Sequence, residues 1–425
     1  MANAVESRFN AWAEFASGLQ WNSIPAPVQE RAVWLVLDTV GAIIAGLEES
    51  AAGQVRRCVP RAGASGLESA LLLGVLAQAA DLDETNLRAG SHIACTVVPA
   101  LMAGLMESSC SGPTFLAAVV AGYELEAALG RALAPHHGAR GWHPTGTLGA
   151  FGAAAAIARQ LGLDPDAFGR ALAIAGTQAA GTKSVFGGTA KAFNAGKAAS
   201  NGLLAARLAA VGMTAGGNPL VDPRGFFAAS GVGEVTMPLP ATHAILENHF
   251  KFLPCCIETH AAVIAISEAM AEAGGRPPNA VTVVLAPSAR VMVDRPAPAG
   301  IEEGRFSVQY AIARRLRGGP CSPVPEPFDP DALSSLCPVK IVERPINHLA
   351  AELTVHLGDH SRTTRADLGW HTPLDRERIS RKFDALASPA MGERALGLRE
   401  AICSMEDAAN AAEVLLPVMR LAIGG

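Results

Sequence analysis

Gly141-Trp142-His143-Pro144-Thr145-Gly146-Thr147, with the alanine-rich run Gly149 to Ala158 behind it, is the stretch on which the fold turns. Proline holds the residue before it in extended backbone, and Pro-Thr-Gly-Thr reads as the opening of a helix. The run that follows carries almost nothing larger than a methyl group, so it predicts a helix that others approach closely. The free N–H groups of a helix start attract anions. A titratable imidazole beside them is suited to proton transfer.

Working outward, the whole chain repeats this composition. Of its 425 residues half are hydrophobic, only 5% are aromatic, and 43 are glycine. That predicts packed helices rather than a β-sandwich, and the length predicts two domains. A formal net charge of −5 argues against nucleic acid as a general partner. Only six of the 34 basic residues are lysines, at 183, 191, 197, 251, 340 and 382, and lysine suits a point charge in a pocket. The eight cysteines show no metal spacing, and Met1 to Phe15 has no secretory pattern, so reduced thiols and a cytoplasmic location are expected. No apolar run is long enough to span a membrane.

Apolar helical stretches follow one another through the first 250 residues: Ser7 to Leu19, Val28 to Gly46, Gly66 to Asp81, Val97 to Leu101 and its flanks, and Ser111 to Arg131. Asp164-Pro165 opens another helix, ending at Gly176. Gly181 to Gly196 reads as a glycine-rich loop leading into a helix from Lys197 to Val211. Asp38, inside an apolar helix, predicts a hydrogen-bonded partner. After Lys251 the period changes. Val281 to Leu285, Val339 to Val342 and Glu352 to Leu357 read as strands, with Gly358-Asp359-His360 as a hairpin turn before Arg362 to Ala366. Helices return from Arg378. The expectation is a mainly α fold: a large helical domain from 1–250 and 375–425, with a smaller α+β domain, 251–374, inserted.

Gly146, Gly149 and Gly152 are three apart, but Pro135 to Trp142 is no strand, so a dinucleotide loop is not supported and close helix packing is the better account. The acidic patch Asp81-Leu82-Asp83-Glu84-Thr85 ends an apolar helix; were that helix to continue, Asp81 and Thr85 would share a face. What remains for chemistry is a set without a metal pattern: Asp81, Thr85, His92, His143, Lys191 and Lys251. Taking a proton from carbon next to a carboxylate needs nearby positive charge, which these residues supply. The residues therefore point to proton abstraction, elimination or decarboxylation on a small polycarboxylate.

Several motifs carry a family resemblance: Asp38-Thr39-Val40-Gly41, Asp81-Leu82-Asp83-Glu84-Thr85, Val98-Pro99-Ala100, Gly122-Tyr123-Glu124 and Trp142-His143-Pro144-Thr145-Gly146-Thr147. Gly188 to Lys197, Lys251-Phe252-Leu253-Pro254-Cys255 with His260, Phe306 to Tyr310 and Lys382-Phe383 continue the series in order. On these the chain resembles the MmgE/PrpD family, which includes 2-methylcitrate dehydratases, cis-aconitate decarboxylases and iminodisuccinate epimerases. The resemblance implies the discontinuous helical domain, a lid-like inserted domain, a homodimer, and catalysis with no metal or organic cofactor. It carries functional roles onto Asp81, Thr85, His92, His143, Lys191, Lys251 and Tyr310.

On this reading His143, His92, Lys191 and Asp81 are catalytic, while Thr85, Lys251, Tyr310 and Asn194 bind substrate. Three departures bear on substrate identity. Asn194 stands where many members have histidine, His92-Ile93-Ala94 replaces His-Pro-Ser, and Asp83-Glu84-Thr85-Asn86 replaces Asp-Asp-Thr-His. The expected activity is that of a lyase on a small di- or tricarboxylate. The alternatives are an epimerase and a non-catalytic ligand-binding member.

Overall fold

The computed structural model describes residues 2–59, 64–133, 136–216, 220–231, 237–319, 321–334 and 336–424. Over these described residues the chain is mainly helical, with one four-stranded sheet, and it divides into two units. The first comprises residues 1–185, 189–250 and 373–425; the second comprises 186–188 and 251–372.

In the first unit the helix Gly149–Gln160 is buried along its whole length. A helix surrounded on every side needs small side chains, which is why its sequence is GAFGAAAAIARQ. Helices Gly112–Leu133, Ala94–Gly104, Pro165–Gly176 and Ala190–Ala210 pack around it. The glycine spacing serves this packing: a Cβ on Gly152 would lie 2.3 Å from a Glu126 carboxylate oxygen, and one on Gly149 2.6 Å from the Thr96 methyl. Pro135 lies outside the described residues, and from His136 the chain forms a short helix, His136–Ala139, rather than the start of a strand.

Two sequence expectations are corrected. The helix expected from Lys197 starts at Ala190, so Lys191 and Asn194 are helical and not part of the glycine-rich loop. Gly196 reads as a loop residue but is a contact residue: a Cβ there would lie 2.2 Å from the Leu71 carbonyl oxygen, and one on the facing Gly74 2.7 Å from Gly196 Cα. Helices Gly66–Ala79 and Ala190–Ala210 thus cross backbone to backbone. The other correction concerns Asp81. Its helix stops at Ala79, and Asp81 takes a left-handed φ of 54°. Asp81 and Thr85 therefore do not share a helical face.

Buried carboxyl groups fasten this unit. Asp38 lies 2.6 Å from the Lys382 ammonium, which also donates to the Leu82 carbonyl at 2.8 Å. Helix Arg376–Met391 thereby grips both helix Ala26–Ala45 and the acidic loop. Glu124 accepts the N–H groups of Ala244 and Ile245 at 2.8 and 3.0 Å. Glu84 accepts those of Ile93 and Ala94 at 3.0 and 2.8 Å, capping helix Ala94–Gly104 from outside it.

The second unit holds the sheet. Its strands are β1 (Ala280–Leu285), β2 (Val339–Glu343), β3 (Ala350–Leu357) and β4 (His360–Asp367), ordered β2-β1-β3-β4. β1 pairs parallel with β2 and antiparallel with β3, with Val283 opposite Ile341 and Leu353; β3 and β4 form the hairpin. Val281, Val283, Leu353 and Val355 meet Ala262, Ala265, Ile266 and Ala269 of helix Ile257–Glu272 in one core. β4 is mostly exposed, which is why its hydrophobic pattern is faint. Among the described residues no helix is long and apolar enough to cross a membrane.

Candidate active site

Asp81 is the one non-glycine residue with positive φ among those described. Such backbone costs energy for an L-residue, least for Asp and Asn, and is held only where the surroundings enforce it. Here it turns the chain away from helix Gly66–Ala79 and sets the Asp81 carboxylate 2.6 Å from the Lys191 ammonium. Both side chains are buried. The Gly74–Gly196 crossing makes the pair possible, because it brings the start of one helix beside the end of the other.

The acidic loop then returns through two short bridges. Thr85 exchanges N–H···O bonds with His249 at 3.0 and 2.8 Å, and Asn86 with Ser91 at 2.9 and 3.2 Å. Thr85 Oγ1 donates to the Ser91 carbonyl at 3.4 Å. The Asn86 amide donates to Ala244 O at 3.0 Å and accepts from Ala89 N–H at 3.1 Å. Asn86 thus serves the loop's own framework.

This turn presents His92. Its Nδ1 lies 2.9 Å from the Glu84 carbonyl oxygen and 3.1 Å from Asp83 Oδ2. Both are acceptors, so Nδ1 carries a proton and the neutral ring keeps its lone pair on Nε2. The His92 N–H donates to Thr145 Oγ1 at 3.0 Å, which ties this loop to the Trp-His-Pro motif. Ser91 Oγ and Thr96 Oγ1 donate to the two oxygens of buried Glu126 at 2.6 and 3.1 Å.

His143 is buried and precedes the short helix Pro144–Thr147. Its N–H donates to Gly181 O at 3.0 Å, and its Nδ1 lies 3.0 Å from Asn194 Nδ2. Burial first, and then the charges of Lys191, His92 and Lys183, hold its pKa well below the ordinary 6.5; Asp83 opposes them. In the absence of a ligand His143 is therefore neutral at physiological pH. Burial pushes Glu84 up to about 8, against the Ala94 N–H and the Tyr123 hydroxyl, and pushes Glu126 well above its ordinary value.

Asp81, Lys191, His92, His143 and Asn194 are thus brought into one neighbourhood of the first unit. Thr85 lies on the same loop with its polar groups committed to His249 and Ser91. Lys251 opens the second unit and is fully buried. Tyr310 also lies in the second unit: its hydroxyl accepts the Asp329 N–H at 2.9 Å and its ring stacks on Phe328. Among the described residues no three or more His, Cys, Asp or Glu side chains converge as a metal site would require. Sequence reasoning missed Asp83, Glu84, Thr145 and Glu126 as parts of the site. Glu126 carried a readable signal, a carboxylate inside an apolar helix, the same signal that flagged Asp38.

Residues 10–236 match the MmgE/PrpD N-terminal domain, more than half of the chain. The chain belongs to the MmgE/PrpD family. The family match covers Asp81, Thr85, His92, His143, Lys191 and Asn194. A cis-aconitate decarboxylase-like protein of Aspergillus oryzae is 35% identical over 222 residues, 45% of this chain and 44% of that protein. The cis-aconitate decarboxylase of Aspergillus terreus is 32% identical over 233 residues, 49% of this chain and 46% of the relative. The human cis-aconitate decarboxylase is 29% identical over 350 residues, 75% and 72% of the two chains. The chain's match spans about half the length of these fungal relatives.

Proposed function

We propose that this MmgE/PrpD chain is a lyase that removes water or carbon dioxide from a small di- or tricarboxylate by proton transfer next to a carboxylate. The observation that carries the reading is the buried Lys191–Asp81 pair beside two imidazoles that come from different parts of the chain. Relatives named cis-aconitate decarboxylase support the same reaction class.

Loss of a proton or of carbon dioxide from such a carbon leaves negative charge that spreads onto the neighbouring carboxylate. In this reading Lys191 holds that carboxylate and Asp81 orients the ammonium. In dehydration His92, with its lone pair on Nε2, takes the proton from carbon and His143 gives one to the departing hydroxyl, which leaves as water. In decarboxylation the carboxylate leaves as carbon dioxide and His143 gives its proton to the carbon left behind. Lys251, Thr85 and Tyr310 are assigned to substrate binding on the family resemblance.

His143→Gln tests the reading. It should abolish turnover of whichever polycarboxylate the wild type consumes, with circular dichroism and thermal unfolding unchanged; undiminished turnover would overturn the role. Epimerisation of a dicarboxylate is the second reading, because a base and a donor presented as a pair also serve inversion at carbon. Solvent deuterium entering the substrate with inversion, and no elimination product, would favour it.

A further inference from the structure

We propose that Asn194 is a positioning residue that fixes which nitrogen of His143 carries the proton, holding the ring as its Nε2–H tautomer and so giving it the donating half of the chemistry. The chemical consequence rests on the proton-transfer reading above; the tautomer assignment itself does not.

The Asn194 amide nitrogen lies 3.0 Å from His143 Nδ1 and 3.5 Å from the Thr182 carbonyl oxygen. The carbonyl can only accept, so the NH2 side of the amide faces both groups. An amide N–H needs a lone pair opposite it. The neutral His143 ring therefore keeps Nδ1 bare and carries its proton on Nε2. The amide is wedged in place: a Cβ on Gly146 would lie 3.1 Å from Asn194 Cβ, and one on Gly181 3.2 Å from Asn194 Cγ.

His92 is held in the opposite way, with Nδ1–H on Glu84 O and Asp83 Oδ2. One imidazole thus offers a lone pair on Nε2 and the other a proton on Nε2. Environment alone divides base from donor. A histidine at position 194 could donate or accept, and would leave the division open. A carboxylate there would reverse it, because it accepts from Nδ1–H and favours the imidazolium.

The test is 15N NMR of histidine-labelled protein at about pH 8, with the His143 signals assigned by their absence in His143→Gln. The wild type should show a bare Nδ1 and a protonated Nε2 on His143, and Asn194→Asp should show a protonated Nδ1. A wild-type His143 protonated on Nδ1, or an Asn194→Asp variant with an unchanged tautomer, would overturn the proposal. This readout needs no turnover. Failure of the wild type to act on any polycarboxylate would sink the lyase reading and leave the tautomer result standing. On an active substrate Asn194→Asp should lower kcat about 100-fold, leave KM nearly unchanged and move the limb of the kcat pH profile due to His143 to higher pH. A change in KM alone would count against it.

Discussion

The Lys191 ammonium lies 2.6 Å from the carboxylate of Asp81, whose backbone is left-handed at φ 54°. The helix-ending turn and the ion pair are one feature: without that turn the carboxylate would continue along helix Gly66–Ala79. Local strain is thereby spent on placing a charge.

Asp81→Asn keeps a side chain that tolerates this backbone and removes the charge. It takes the carboxylate away from buried Lys191, which should cost about 3–5 kcal/mol of stability in denaturant unfolding. If Lys191 also holds substrate carboxylate, a tricarboxylate should raise the thermal midpoint of the variant more than that of the wild type. An equal or smaller rise would make the pair purely structural.

Lys382 joins helix Arg376–Met391 to Asp38 and to the Leu82 carbonyl, at the root of the acidic loop. Lys382→Met should cost about 3–5 kcal/mol, and Asp38→Leu/Lys382→Met should recover most of it, since apolar replacement of a buried pair is often neutral. Hydrogen exchange at the loop amides 81–92 should stay faster in both variants, because Leu82 O has lost its donor. Unchanged exchange would separate helix Arg376–Met391 from the site.

The second pair also shows what could be read in advance. Asp38 announced a partner, but Lys382 lies 344 residues away, and only folding brings the two together. The runs of β1, β2 and β3 are legible because they are rich in β-branched residues, and from Ala351 to His356 β3 also alternates between buried and half-buried positions. The start of helix Ala190–Ala210 was not legible. Glycine reads as a loop, and nothing local reveals that Gly196 exists to meet Gly74. Asp83 and Glu84 were passed over for a similar reason. Their partners are His92 and the amides of Ile93 and Ala94, reached across a turn rather than along a face.

Glu84 gives the chain a pH signature. Burial raises its pKa from the ordinary 4.5 to about 8. Across that window the folded chain holds a proton that the unfolded chain has released, so stability falls as pH rises. Glu84→Gln should remove up to about 1.4 kcal/mol per pH unit from that slope. His143 acts in the other direction: its depressed pKa adds stability that is lost as pH drops below 6.5. Urea unfolding of both proteins between about pH 5 and pH 8 measures the difference; parallel curves would contradict a raised pKa for Glu84.

Proton transfer beside a carboxylate, with His143 as the donor, is tested most directly by NMR in deuterium oxide. The wild type and His143→Gln are each incubated with a panel of small di- and tricarboxylates that includes cis-aconitate. The account predicts that the wild type converts at least one of them, releasing water or carbon dioxide and leaving deuterium in the product or in recovered substrate, while folded His143→Gln does neither. A folded wild-type chain that binds these acids yet produces no conversion and no deuterium exchange would contradict it.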